Sequence, residues 1–155
     1  MGFQMEDEFD SEIIEFAIAR EVGAYSFYMQ LSEQQTDGAN ADFFRSLADE
    51  EWEHKAKLEF ELIKGGNIVK DPDEWSQIKE IYPPFDVKGA SDISYREALE
   101  IAIEKEDMSF RLFADMASKA TDEQSKNMLY ELAEEELSHK LKCKAQYDAL
   151  IEWGG

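Results

Sequence analysis

Asp49-Glu50-Glu51-Trp52-Glu53-His54-Lys55 and Glu134-Glu135-Glu136-Leu137-Ser138-His139-Lys140 contain both histidines of this chain, each three residues after a glutamate. Their separation is 139 − 54 = 85 residues. Sliding the chain over itself by that amount aligns much more than the two motifs. Glu12, Glu15, Ala17, Ile18 and Glu21 fall on Glu97, Glu100, Ala102, Ile103 and Glu106. Thr36, Asp37, Leu47 and Ala48 fall on Thr121, Asp122, Leu132 and Ala133, and Lys55 and Lys57 fall on Lys140 and Lys142. With Glu50, Glu51 and His54 this makes 14 ungapped identities between Glu12 and Ile63. The chain is therefore one unit written twice, and repeats of this kind bury a shared core by packing copy on copy.

The unit is a helical hairpin. Apolar residues recur at helical spacing from Ile13 to Leu31 and again from Phe43 to Ile63. Thr36-Asp37-Gly38-Ala39-Asn40 is turn chemistry, with Asn40 the expected N-cap of the second helix and Gly65-Gly66 its stop. Ser94-x-x-Glu97 reads as a capping box for a third helix reaching about Ala120, and Thr121 or Asp122 caps a fourth that runs to about Trp153. The expected organisation is one domain over 1–155, with hairpin one at about 11–64, a crossover at about 65–92 and hairpin two at about 94–153. Pro72, Pro83, Pro84 and Gly89 punctuate the crossover, and Trp75–Ile81 can form a short helix within it. Short turns make each hairpin antiparallel, and a connection this long can travel the roughly 40 Å of a helix of this length. The fold class read from this pattern is all-α: a four-helix bundle with a single crossover.

The bulk numbers fit one globular domain. A hydrophobic fraction of 43% and an aromatic fraction of 12% are enough for a core, so the net charge of −20 does not signal disorder. That charge argues against nucleic acid and anionic membrane surfaces as partners. Cys143, the only cysteine, allows no internal disulfide and no four-cysteine metal site, which fits a reducing compartment. No apolar run reaches membrane-spanning length and Met1–Asp10 is acidic, unlike a signal peptide, so a soluble cytoplasmic protein is expected.

Residues i and i+3 share a helix face, so each Glu-x-x-His can point a carboxylate and an imidazole at one centre. The repeat supplies one more carboxylate per hairpin: Glu21 and Glu106, each thirty residues before its motif glutamate (51 − 21 and 136 − 106). In an antiparallel hairpin this spacing brings the two to the same level. The candidate metal ligands are Glu21, Glu51, His54, Glu106, Glu136 and His139. Four carboxylates balance two divalent ions, and the mixed oxygen and imidazole donors suit iron or manganese, zinc less well. Glu50 and Glu135 are candidates to accept the second N–H of the opposite histidine. Tyr25 and Tyr28 follow Glu21 by one and two turns and are candidate catalytic phenols; their repeat counterparts are Phe110 and Phe113. The stripe Phe43, Phe44, Trp52 and Phe60 reads as core or dimer contact, and Cys143, which replaces Leu58, as a small buried apolar residue.

The strings Ala-Arg-Glu21 followed by Tyr28, Asp-Glu-Glu51-Trp-Glu-His54 and Glu-Glu-Glu136-Leu-Ser-His139 resemble the rubrerythrin branch of the ferritin-like superfamily, over about Ser11 to Trp153. The resemblance implies a ferritin-like fold and a non-haem di-iron centre that reduces hydrogen peroxide or oxidises ferrous iron with oxygen. It also implies a homodimer, in some relatives with exchanged helices. Two departures stand out. A rubredoxin-like domain needs four cysteines, so electrons must come from an external donor such as a rubredoxin-like protein. The family's extra glutamate one turn after the third-helix ligand is Ser109 here. Glu104 with Asp107 would restore a carboxylate pair but breaks the repeat, so Glu106 is preferred. The expected function is a di-iron oxidoreductase of oxidative-stress type, with iron binding, delivery or storage without turnover as the alternative, and a purely structural metal staple as a third reading.

Overall fold

The computed structural model describes residues 3–66 and 93–153, with side chains from residue 12 onward. Four helices, α1 (Phe3–Gln34), α2 (Gly38–Lys64), α3 (Tyr95–Lys119) and α4 (Glu123–Glu152), account for nearly all of them, and no strand occurs among the described residues. They fall into two compact units, one holding α1 and α2 and the other α3 and α4. The crossover, with the expected Trp75–Ile81 helix and Pro83-Pro84, lies outside the described residues.

In the first hairpin α1 begins at Phe3, 13 − 3 = 10 residues before the first apolar residue of the periodic pattern. Nothing between Phe3 and Val22 is glycine or proline, so backbone propensity carries the helix beyond its apolar face. At its other end the Gln35 amide closes onto the Ser32 carbonyl at 3.2 Å, and the Ser32 hydroxyl donates to the Ala41 carbonyl of α2 at 2.8 Å. The N-cap of α2 is Asp37, not the expected Asn40. Asp37 Oδ1 accepts from the amides of Ala39 (2.8 Å) and Asn40 (3.2 Å), because an aspartate two residues ahead reaches those N–H groups first. Gly65 ends α2 by donating to the Glu61 carbonyl, and Gly66 takes φ +81°, a left-handed turn that glycine adopts without strain.

Ile13, Ala17, Ile18, Phe27, Tyr28 and Leu31 of α1 are buried, as are Phe44, Leu47, Ala48, Leu58 and Leu62 of α2. The expected stripe divides. Phe44 is core, whereas Trp52 and Phe60 are 44% and 59% exposed. The buried face of α2 runs through 47, 51, 54, 58 and 62, and each aromatic sits off that line by about 100° per residue step.

The second hairpin uses the same devices. Ser94 caps α3 by accepting from the Glu97 amide at 3.1 Å, and Asp122 caps α4 by accepting from the Ser125 amide at 2.8 Å. Asp37 and Asp122 are repeat partners, so both turns are closed by one residue in one role. The core is Ala98, Leu99, Ala102, Phe113, Ala117, Leu129, Leu132, Ala133 and the fully buried Cys143. Near the open end, the Tyr95 hydroxyl donates to Gln146 Oε1 at 3.0 Å and the Tyr147 hydroxyl to Glu100 Oε1 at 3.2 Å.

Candidate metal centre

On α1, Glu21 follows Ala17 and Ile18 onto the buried face. On α2, Glu51 and His54 lie among Leu47, Ala48 and Leu58. His54 Nδ1 stands 3.6 Å from Glu21 Oε2 and 4.0 Å from Glu51 Oε2. Each of the three residues can offer an atom within 4.8 Å of the others'. Glu21 and Glu51 are at most 1% exposed, and no hydrogen bond reaches Glu21 Oε2.

The second hairpin repeats the arrangement. Glu106 of α3 and Glu136 and His139 of α4 are each 2% exposed, and their donor atoms also gather within 4.8 Å. His139 Nδ1 lies 3.9 Å from Glu106 Oε1. In both hairpins Nδ1 stands within 4 Å of a carboxylate oxygen of its own donor set. Two donors each bound at about 2.1 Å to one ion stand about 3–3.6 Å apart for angles of 90–120°. The observed separations begin at that value and exceed a hydrogen bond.

Burying carboxylates without compensation costs several kcal/mol each, to order of magnitude. The lysine that follows each histidine is turned to a carboxylate outside the donor sets. Lys55, which follows His54, donates to Glu59 at 2.9 Å, and Lys140, which follows His139, donates to Asp107 at 2.9 Å. A divalent cation between the oxygens and the imidazole of each set meets the requirement. Oxygen-rich sets with one imidazole suit iron or manganese, so the residues present fit such a metal.

The rival register on α3 is not assembled. Glu104 is exposed, and Asp107 is held by Lys140 and by Arg111 at 2.8 Å. The Lys140 hydrogen bond, followed by that from Arg111, keeps the Asp107 carboxyl below its ordinary range. Ser109, where a further glutamate would sit, is buried. Glu50 and Glu135 are half-buried. Tyr28 is fully buried and stacks on Phe44 with ring centroids 6.3 Å apart. Tyr25 is half-buried and packs on Trp52, 4.7 Å between centroids. Sequence periodicity treats Trp52 as core; its place one residue past Glu51, off the buried face, is the signal that puts it at the surface.

Residues 12–147 match the rubrerythrin family. No curated protein matches the sequence. Among solved structures, a hypothetical protein from Pyrococcus furiosus is similar at 22% identity, covering 93% of this chain and 91% of that one with a TM-score of 0.61, a likeness of fold. The fold class is accordingly all-α, of the ferritin-like four-helix type, and no helix among the described residues is long and apolar enough to cross a membrane. With its matched region spanning both buried Glu/Glu/His sets, the chain belongs to the rubrerythrin family.

Proposed function

We propose that this protein is a non-haem di-iron oxidoreductase that reduces hydrogen peroxide or oxygen with electrons from ferrous iron or an external donor. The observation that carries the reading is the duplication: each hairpin buries two carboxylates and one imidazole at equivalent positions. Helical hairpins related by a pseudo-twofold would bring the two sets together as one six-residue site. Glu51 and Glu136 would bridge. Glu21 with His54 would serve one ion, and Glu106 with His139 the other.

When bound, a pair of ferrous ions supplies two electrons and open positions for an oxidant. The chain does the rest. Leu47, Ala48 and Leu58 around one set and Leu132, Ala133 and Cys143 around the other exclude water. Nδ1 of each histidine would be the nitrogen offered to a metal, leaving Nε2–H for a carboxylate, with Glu50 and Glu135 as the proposed acceptors. The four carboxylates would hold an ion through one oxygen or two, so a change in its charge would not require the helices to move.

With one cysteine in these 155 residues, sustained turnover would draw on a separate one-electron donor such as a rubredoxin-like protein. A cytoplasmic homodimer with no nucleic-acid or membrane partner completes the proposal. Manganese or zinc would occupy the same donors, with zinc redox-silent.

The test is anaerobic loading with ferrous iron followed by mixing with peroxide or oxygen. Two irons per chain, oxidised rapidly, support the enzyme. Two irons that remain ferrous with either oxidant would sink it and leave an iron-binding or delivery module.

A further inference from the structure

Tyr25 and Trp52 form a ring contact between residues that adjoin two of the proposed ligands along their helices, and it reaches the surface at Trp52. Tyr25 lies one helical turn after Glu21 on α1, and Trp52 directly follows Glu51 on α2. Their ring centroids are 4.7 Å apart at 48°. Tyr25 is half-buried and Trp52 is 44% exposed. Tyr28, by contrast, is fully enclosed among Phe27 and Phe44 and reaches no surface. The repeat makes the pair one-sided: the equivalents of Tyr25 and Trp52 in hairpin two are Phe110 and Leu137 (25 + 85 and 52 + 85). Neither is readily oxidised. Lys55 Nζ lies 4.3 Å over the Trp52 ring, a cation that opposes loss of an electron from the indole except to a strong oxidant.

We propose that Tyr25 and Trp52 are an auxiliary electron source for peroxide when only one ferrous ion is available. The proposal rests on the di-iron reading. Hydrogen peroxide takes two electrons and two protons as its O–O bond breaks, giving two waters. With both ferrous ions present, each gives one electron. With one present, the second electron leaves the Tyr25–Trp52 pair, which shares the resulting hole and releases one proton to solvent. The second proton comes from water. One oxidising equivalent is thereby carried to a surface ring, where an external one-electron donor and a solvent proton restore it, and the buried ligands are spared.

Packing alone would explain the ring contact, so the test reads where the electron is lost. The full chain, loaded without oxygen with one or two equivalents of ferrous iron, receives one equivalent of peroxide beside a nitroso spin trap. Digestion and mass spectrometry then locate the trapped radical, and a chromogenic chelator reports remaining ferrous iron. Trp153 is the internal control, because at 86% exposure it is the more open target for any diffusing oxidant. The expected result is an adduct on Trp52 several-fold above that on Trp153, larger at one iron than at two and lost without iron. Tyr25→Phe should lower it several-fold, and Trp52→Phe should move it to Tyr25. Preferential labelling of Trp153, or Trp52 labelling indifferent to iron loading, overturns the proposal. If ferrous iron persists after peroxide in the wild-type chain, the di-iron reading falls first and this inference with it; oxidised iron with no Trp52 adduct overturns the inference alone.

Discussion

His139 Nδ1 faces Glu106 Oε1 across α3 and α4 at 3.9 Å, while Glu104, two residues earlier, is exposed. One side chain points into the donor set and the other into solvent. Glu106→Ala should therefore lose about one of two bound irons, whereas Glu104→Ala should keep both. Metal analysis of the two variants, loaded alike, makes the comparison; equal stoichiometry would contradict the ligand assignment.

Glu51→Gln and Glu136→Gln keep the side-chain volume and remove a buried charge. Each should abolish the paired iron site if these residues bridge. In metal-free protein the same changes should leave Tm unchanged or raise it, since like charges are relieved. Calorimetry with and without iron reads both effects. A drop of Tm in the metal-free state would show that these carboxylates hold the fold together rather than strain it.

Asp107 is bound to Lys140 and Arg111, and its carboxyl titrates below the ordinary range. A depressed folded-state value means a contribution to stability that is present above the unfolded carboxylate pKa and lost as pH falls through the lower folded value. Asp107→Asn should thus reduce stability near neutrality and make no difference at strongly acid pH. Denaturation midpoints across that range check the sign.

Asp37 and Asp122 close the two turns through the same amide-accepting role. Replacing either by Ala should cost about 1 kcal/mol. Asp37→Asn should recover most of that loss, since the amide oxygen still accepts from Ala39.

Much of this was legible in the sequence because the repeat constrains it twice. A single Glu-x-x-His leaves its helix face ambiguous; two in register, with Glu21 and Glu106 at a common distance, allow one buried face, and all six side chains are buried. What the sequence hid is what periodicity does not encode. Propensity rather than apolar spacing sets the start of α1. Asp37 and Asn40 are both good caps, and only turn geometry decides between them. Trp52 and Phe60 look like core by composition and are surface by angle. The choice of Glu59 by Lys55 and of Asp107 by Lys140, equivalent lysines with different partners, depends on Glu59 being replaced by Lys144 in the second copy.

The two turns also govern chemistry from a distance. Glu21 lies 37 − 21 = 16 residues before the Asp37 cap and Glu51 lies 51 − 37 = 14 after it; Glu106, Asp122 and Glu136 keep the same 16 and 14. Exposed turns ordinarily absorb insertions and deletions. Here one residue added at 35–37 or 120–122 would rotate or slide one helix against its neighbour and carry a carboxylate away from its histidine. These short surface turns behave as rulers, and in relatives that keep the metal their length should vary less than that of ordinary loops, however freely their residues change.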